Sequence, residues 1–250
     1  MKFEVNLLDY LAYGLIFVRI GAFLFFVPVF SETAISPRIR VYLAFWFMLV
    51  MAPALQGSFP REMDSTALLA THVIHEVLVG AALGLVLKFM FLTLEFAGSL
   101  ISQAVGLTNV SFNSPNMGGQ ISLPSNLLML AATLLLIETD IHHHFIRFIY
   151  ESYALLPAHS FNTQDLTQSL LKSSSDMMSL GFKLSTPLVV FGLLVSIALG
   201  ILNRLIPQVQ IFMVSQPLQL GFGFFVMLYA IRELLITFLK DYERFLLGMR

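Results

Sequence analysis

Histidines and carboxylates form the two clusters of this sequence whose residue types suit chemistry. The first cluster is His142–His144, which follows Glu138 and Asp140. Imidazole and carboxylate groups are common zinc ligands, so the cluster suggests a metal site. Consecutive residues on a helix point about 100° apart, however, and three contiguous histidines cannot all reach one ion. We therefore predict that the cluster binds no metal and marks the polar end of a helix.

The second cluster is His72, His75 and Glu76, whose members lie three and four residues apart on a helix. This spacing matches neither H-E-x-x-H nor H-x-x-E-H, the helical arrangements that build catalytic zinc sites. The sequence also has no G-x-S-x-G elbow, no Walker loop and no dinucleotide fingerprint. It has no cysteine, which excludes thiolate sites and disulfides. The sequence predicts neither an enzyme nor a cofactor.

The composition indicates a membrane protein. Of 250 residues, 57% are hydrophobic and 12% are charged, and the mean hydropathy is +0.82. Soluble domains carry about 25% charged residues, so this chain has about half the charge that a water-exposed surface needs. A bilayer or a large assembly must therefore cover its apolar side chains. The net charge is −1 and the basic residues are scattered, which gives no nucleic-acid-binding surface.

Apolar segments divide the chain into about six helical parts. Most of them reach the ~20 residues that a membrane-spanning helix needs. No hydrophilic domain lies between them, so we predict an all-α integral membrane protein with one domain over residues 1–250. Residues Asn162–Met178 are expected to form a short, separate amphipathic helix capped by Asn162. The six segments are Leu7–Phe30, Val41–Leu55, Leu68–Leu94, Leu127–Ile149, Leu184–Leu202 and Ile211–Leu239.

Several charged residues interrupt these apolar segments, among them Arg19, Lys88 and Glu95. A charge at the centre of a bilayer costs about 2.5–3.5 kcal/mol on insertion scales. We expect these side chains to face partner subunits or a water-filled passage. The alternative is that they extend from helix ends toward the membrane surface. Lys88 and Glu95 lie seven residues apart, on one face of a helix, and are predicted to point inward.

One long stretch, from Gln103 to Ile137, contains no ionisable residue. Its first part, Gly106–Ser125, is rich in Gly, Pro, Asn and Ser, and we predict that it forms an irregular loop. We call Gly106–Ser125 the plug segment. An uncharged segment with hydrogen-bonding side chains can close a pore without holding ions; the alternative is an ordinary surface loop. The residues assigned to the plug are Gly106, Asn109, Ser111, Phe112, Asn113, Pro115, Met117, Gly118, Gly119, Gln120 and Pro124.

The last connection between apolar segments forms a second candidate site. Asn203 and Gln208 can satisfy backbone groups that Pro207 leaves free, and Arg204 can pair across a subunit contact. A tight turn between two membrane helices explains the same residues. The candidate residues are Asn203, Arg204, Pro207, Gln208 and Pro217.

These residues resemble the FliR family, the R subunits of the flagellar type III export gate, whose injectisome relatives are the T subunits. The resemblance covers nearly the whole chain, and the order and spacing of its motifs are more specific than any single motif. Ile206 and the Ser215-Gln216 pair depart from the family's terminal motif. The matching residues are Pro28–Glu32 with Pro37, Arg38 and Arg40; Gly80, Gly84, Gly98 and Gly106; Asp140, His142 and His143; and Asn203-Arg204, Pro207-Gln208, Ile211-Phe212 and Pro217.

The resemblance implies a structural component of a protein export gate. Such a subunit is built from kinked helical hairpins, with a P-like amino-terminal part and a Q-like carboxy-terminal part, and its plug segment closes the channel. The implied partners are the P and Q subunits FliP and FliQ, together with FlhB, FlhA, membrane lipid and unfolded flagellar export substrates. The implied location is the bacterial inner membrane, in the flagellar basal body. An injectisome T subunit is the alternative within the family.

A self-sufficient secondary transporter for a small solute is the alternative outside the family. Transporters of that kind carry paired repeats whose broken helices meet at a midplane site. Pro53, Pro187 and Pro217 are candidate helix breaks, but the two halves of the sequence do not correspond. The sequence therefore favours the export gate.

Overall fold

Helices dominate the computed structural model, which describes residues 7–28, 30, 35–55, 66–107, 111–114, 119–156, 163–205 and 211–248. The prediction of an all-α chain is confirmed, with one short hairpin added. Pro53, Pro187 and Pro217 lie inside helices. In chain order the elements are α1 (Leu7–Phe26), α2 (Pro37–Leu55), α3 (Thr66–Val105), β1 (Ser111–Ser114), β2 (Gly119–Ser122), α4 (Leu123–Glu138), α5 (His142–Leu155), α6 (Thr163–Leu205) and α7 (Ile211–Gly248).

Four helices of the described chain are long and apolar enough to cross a membrane, or five if α4 and α5 form one broken span. This number is slightly below the six apolar segments of the sequence. The described part of α1 beyond Leu7–Asp9, Tyr10–Phe26, is apolar but shorter than the other candidates. The four helices are Pro37–Leu55, Ala67–Val105, Thr167–Leu205 and Gln219–Leu246.

The predicted amphipathic helix is not separate: it continues into the fifth apolar segment as α6, which is 43 residues long. Only Gly181 interrupts the join, and one glycine costs a helix interior about 1 kcal/mol. A Cβ atom at Gly181 would lie 2.5 Å from a ring carbon of Phe96, so the glycine serves packing instead of a turn. The proposed cap, Asn162, lies outside the described residues.

The fourth apolar segment is divided, contrary to the single segment predicted for Leu127–Ile149. The helix α4 ends at Glu138, and Asp140 follows with φ = 57°. Aspartate tolerates this left-handed conformation better than most residues do. The Asp140 carbonyl oxygen then accepts a bond from His143 N at 3.0 Å as α5 begins. Continuous hydropathy concealed this break.

The plug segment is also more ordered than predicted. Strands β1 and β2 pair antiparallel, with Phe112 opposite Ile121 and Asn113 opposite Gln120. The hairpin leads directly into α4, where the Ser122 side chain accepts a bond from Ser125 N and Pro124 occupies the first turn. Proline suits that position because the first backbone N–H groups of a helix have no partner within the helix. The prediction of an irregular loop is therefore corrected to a hairpin and a capped helix start.

Two compact units share the chain, and each has its own apolar core. The first unit comprises the described parts of Met1–Met90 and Asp140–Ser174, and the second those of Phe91–Thr139 and Ser175–Met249. A single domain over residues 1–250 stays a prediction. Core residues of the first unit include Ile16, Ile20, Phe23, Leu87, Phe145 and Ile149, and those of the second include Leu94, Ile101, Ala132, Leu136, Leu188 and Phe238.

Candidate functional site

A buried ion pair lies at the centre of the first unit. Arg19 of α1 and Glu76 of α3 are both 0% exposed. The arginine Nε donates to Glu76 Oε2, and its Nη2 donates to Glu76 Oε1 at 3.0 Å. Such two-pronged contacts between guanidinium and carboxylate are stronger than neutral hydrogen bonds. The pair therefore joins two helices that lie far apart in the sequence.

The remaining donors of Arg19 bind the end of α5. Its Nη1 lies 3.3 Å from the carbonyl oxygen of Ser152, and Nη2 donates to the carbonyl oxygen of Leu156 at 2.9 Å. Its guanidinium carbon lies 4.1 Å from the ring centroid of Tyr153. A cation at a helix C-terminus satisfies free carbonyl groups and complements the helix dipole. One side chain thus holds α1, α3 and the C-terminal end of α5 together.

This arrangement corrects the expectation for Arg19. The sequence suggested that its charge faces another subunit or a water-filled passage, whereas the structure neutralises it inside the chain. The sequence placed Glu76 in a histidine cluster and among the charges near apolar segments, but it did not predict the pairing of Glu76 with Arg19. Neither hydropathy nor spacing carries a signal for this contact, because it depends on how α1 packs against α3.

Two glycines make the close packing of α1 on α3 possible. A Cβ atom at Gly80 would lie 2.3 Å from the carbonyl oxygen of Arg19, and one at Gly84 would lie 2.8 Å from that of Phe23. Backbone-to-backbone packing at small residues is typical of membrane helices. Gly80 follows Glu76 by one helical turn, so the close crossing brings Glu76 within reach of Arg19.

Lys88 and Glu95, the other predicted intramembrane charges, are both half-buried on α3. Lys88 makes no hydrogen bond or ion pair with any residue that the structure describes. Glu95 uses its backbone carbonyl to accept a bond from Ser125 Oγ at 2.9 Å. Unlike Lys88, Arg19 has several side-chain partners among the described residues.

The second unit anchors the end of the β hairpin to α3. Ser122 Oγ donates to the carbonyl oxygen of Gly98 at 3.3 Å, and the Oγ atoms of Ser122 and Ser125 lie 2.7 Å apart. A Cβ atom at Gly98 would lie 2.4 Å from the Cα atom of Ser125. The first turn of α4 therefore lies directly against the α3 backbone. The bond from Ser125 Oγ to the carbonyl oxygen of Glu95 adds a further contact between the two helices.

Hydrogen bonds also hold the start of the plug segment in place. Gly106 has φ = +81°, a conformation that glycine adopts without strain. Leu107 N donates to the carbonyl oxygen of Ser102 at 2.8 Å, which closes the end of α3 as a Schellman turn. Gln219 of α7 donates to the carbonyl oxygen of Ala104 at 3.1 Å. The hairpin therefore lies between two fixed points of the second unit.

The remaining plug residues differ in where they lie, and some of them lie outside the described residues. Ser111, Phe112, Asn113, Gly119 and Gln120 belong to the paired strands, and Pro124 is buried in α4. Asn109, Pro115, Met117 and Gly118 lie outside the described residues. The role of this segment as a plug stays a prediction.

The terminal motif lies where one long helix ends and the next begins. Asn203 and Arg204 are exposed in the last turn of α6, and Pro217 is exposed within α7. Pro207 and Gln208 lie outside the described residues. Arg204, one residue before the end of α6 at Leu205, is therefore accessible for the predicted subunit contact.

The described residues bring no three His, Asp or Glu side chains together in a group that could hold a metal ion. Asp140 and His143 are both exposed, with a carboxylate oxygen 3.6 Å from His143 Nδ1. His75 is buried, and its Nδ1 lies 3.6 Å from Glu76 Oε1.

Gly98→Ala tests the anchor of the plug segment. The added methyl group would overlap the Ser125 backbone, and overpacking of this kind costs about 1–3 kcal/mol. We expect a lower midpoint of thermal unfolding for the assembly purified in detergent, followed by circular dichroism. Gly221→Ala is the matched control, because nothing lies within 4 Å of a Cβ atom there. An unchanged midpoint for Gly98→Ala would show that the anchor is dispensable.

Comparison with known proteins identifies the family. Residues 10–245 match the model of a family described as "Bacterial export proteins, family 1". Proteins called "Flagellar biosynthetic protein FliR" are similar over most of their length: that of Caulobacter vibrioides is 30% identical over 93% of both chains. The Aquifex aeolicus protein is 31% identical over 92% of this chain and 88% of its own, and the Escherichia coli protein is 27% identical over 84% and 80%. The chain therefore belongs to the bacterial export proteins of family 1 and is a membrane protein of that family.

Proposed function

We propose that this chain is the R-type subunit of the flagellar type III export gate. The observation that carries the proposal is the match along nine-tenths of the chain to several proteins named for flagellar biosynthesis. That similarity favours the export gate over a small-solute transporter. The flagellar names of these relatives also favour it over an injectisome T subunit.

Within the gate, the plug segment closes the channel through which unfolded flagellar subunits cross the inner membrane at the basal body. The described strands carry Ser, Phe, Asn, Gly, Gln and Ile but no charge. An uncharged barrier offers an ion no fixed countercharge to compensate for lost hydration. The two anchors on α3 hold the ends of the hairpin, which supports a plug that is tethered to the wall of the channel.

The exposed apolar surface supports an assembly with other chains. Large side chains are exposed on helices long enough to span a membrane, such as Trp46 and Val50 on α2 and Phe225 and Tyr229 on α7. Lipid or partner subunits must cover this surface. FliP and FliQ are the proposed neighbours, FlhB the protein at the base, and FlhA the adjacent energised component. The subunit itself is not an enzyme: it provides a wall and a seal.

Purification from the native operon tests the proposal. We expect a tagged chain, extracted in mild detergent, to be recovered in a large hetero-oligomer that contains P- and Q-type subunits, measured by native mass spectrometry. The same extraction from cells with the untagged chain controls for carry-over. Recovery as a monomer or homodimer with solute transport activity would overturn the export-gate assignment in favour of the transporter.

A further inference from the structure

Lys88 is the one ionisable residue in the most apolar part of α3. From Val77 to Leu94, α3 carries no other Asp, Glu, His, Lys or Arg. The most apolar 18-residue window of the candidate span Ala67–Val105, which contains this stretch, has a mean hydropathy of 2.3, the highest among the four candidate spans of the described residues. An ammonium group in such a segment needs a partner of opposite charge or water.

The nearby carboxylates of α3 are already engaged. Glu76 is bound on both oxygens by Arg19, and the structure gives Glu95 an interaction of its own. Lys88 is half-buried and has no hydrogen bond or ion pair with any described residue. Its ammonium has three donors to satisfy, and burying them without acceptors is unfavourable.

Extension along the helix does not bring the ammonium out of this stretch. At 1.5 Å per residue, Lys88 lies about 10 Å from the level of Glu95 and about 18 Å from that of Glu76. The four-carbon stem of lysine is shorter than either distance. Leu85 and Ala81, one and two turns earlier on the same face, are also half-buried. A neighbouring helix can therefore approach this face, whose named side chains are apolar except for the one cation.

We propose that Lys88 forms an ion pair with an Asp or Glu side chain of a neighbouring polypeptide in the assembled gate. Charge complementarity determines the partner: a helix that is apolar except for one carboxylate at the level of Lys88. The inference rests on the proposed function, since it needs an assembly of several chains. Lys88 then acts as a contact residue that selects one register of the partner helix.

Three substitutions test the proposal in the full assembly, expressed from the native operon with a tagged chain. Lys88→Met removes the charge and keeps the apolar stem, and we expect about tenfold less partner protein to be recovered. Lys88→Glu is expected to lose more, because it opposes the partner's carboxylate. Lys88→Arg is expected to retain most of the complex. The matched control is Lys172→Met, the same change at an exposed lysine of α6.

Folding failure and contact failure are separated by two further measurements. The amount of chain in the membrane should be unchanged for Lys88→Met, because methionine suits an apolar helix. Selection for restored motility from Lys88→Glu should yield a partner subunit whose Asp or Glu has become Lys or Arg. Such a suppressor supports the ion pair directly.

Two results would overturn the proposal. The first is full recovery of the complex with both Lys88→Met and Lys88→Glu. The second is normal assembly with altered ion conductance, which would place Lys88 at a water-filled passage instead. Neither result would affect the assignment to the export gate, since the wild-type chain would still purify with its partners.

Discussion

Arg19→Leu is expected to lower the stability of the first unit by about 3–5 kcal/mol, the usual cost of removing one partner of a buried ion pair. The substitution leaves the Glu76 carboxylate without its cation at a fully buried position. It also removes the donors that bind the carbonyl oxygens of Ser152 and Leu156. The measurement is the midpoint of thermal unfolding of the purified assembly, followed by circular dichroism.

Arg147→Leu is the matched control. Arg147 pairs with Glu151 at 2.7 Å on α5 of the same unit, but its side chain is 60% exposed. Exposed pairs one helical turn apart contribute about 0.3–0.5 kcal/mol, so we expect almost no shift. Similar shifts for Arg19→Leu and Arg147→Leu would contradict the role of the buried pair.

The double variant Arg19→Leu/Glu76→Leu separates a lost attraction from a stranded charge. If much of the damage comes from an uncompensated carboxylate, removing both charges should recover part of the lost stability. Because the two side chains are in direct contact, their effects should not add. Strictly additive losses would mean that the two residues act independently.

Deletion of Asn113–Gln120 is expected to leave the gate assembled but permeable to ions and small solutes. Phe112 and Ile121 are paired in the register of the hairpin, and the Cα atoms of paired residues in antiparallel strands lie about 4.5–5.5 Å apart. A trans peptide spans 3.8 Å, so the two chain ends are close enough to be joined directly after a local rearrangement of the strands. Both anchors on α3 should survive, and the chain then lacks the part proposed to fill the channel.

Conductance of the purified assembly in a lipid bilayer measures this leak. The control replaces Asn113–Gln120 with an uncharged Gly/Ser segment of equal length, which should restore part of the barrier by volume alone. Recovery of the partner subunits should be the same for all three proteins. A deletion variant that conducts no more than the intact assembly would show that this segment does not form the plug.

The sequence alone was sufficient for the class of protein and for the family. Low charge and long apolar runs are properties of composition, so they need no tertiary information to indicate helices in a membrane. The terminal motif around Asn203, Arg204 and Pro217 and the glycines of α3 indicated the family, and the family comparison confirmed it. The spacing of Gly80 and Gly84 suits a close approach between helices, and the structure places backbone atoms against both.

Local breaks were harder to predict, because short-range preferences compete with packing. Hydropathy is continuous through Asp140, yet the chain turns there in a left-handed conformation. The composition around Gly181 suggests a boundary, yet α6 continues because the glycine accommodates Phe96. The Gly, Asn and Ser residues of the plug segment suggest an irregular loop, whereas strand pairing and the anchor at Gly98 make it a hairpin.

Tertiary structure alone decided which charges have partners within the chain. Arg19, Lys88 and Glu95 looked equivalent in the sequence, because each is an ionisable residue within or beside an apolar segment. Arg19 reaches Glu76 and the C-terminal end of α5 only because α1 packs against α3 at two glycines. Lys88 gains no such partner among the described residues. Composition determines how much charge an apolar chain carries, but only the contacts between distant helices determine where that charge is neutralised.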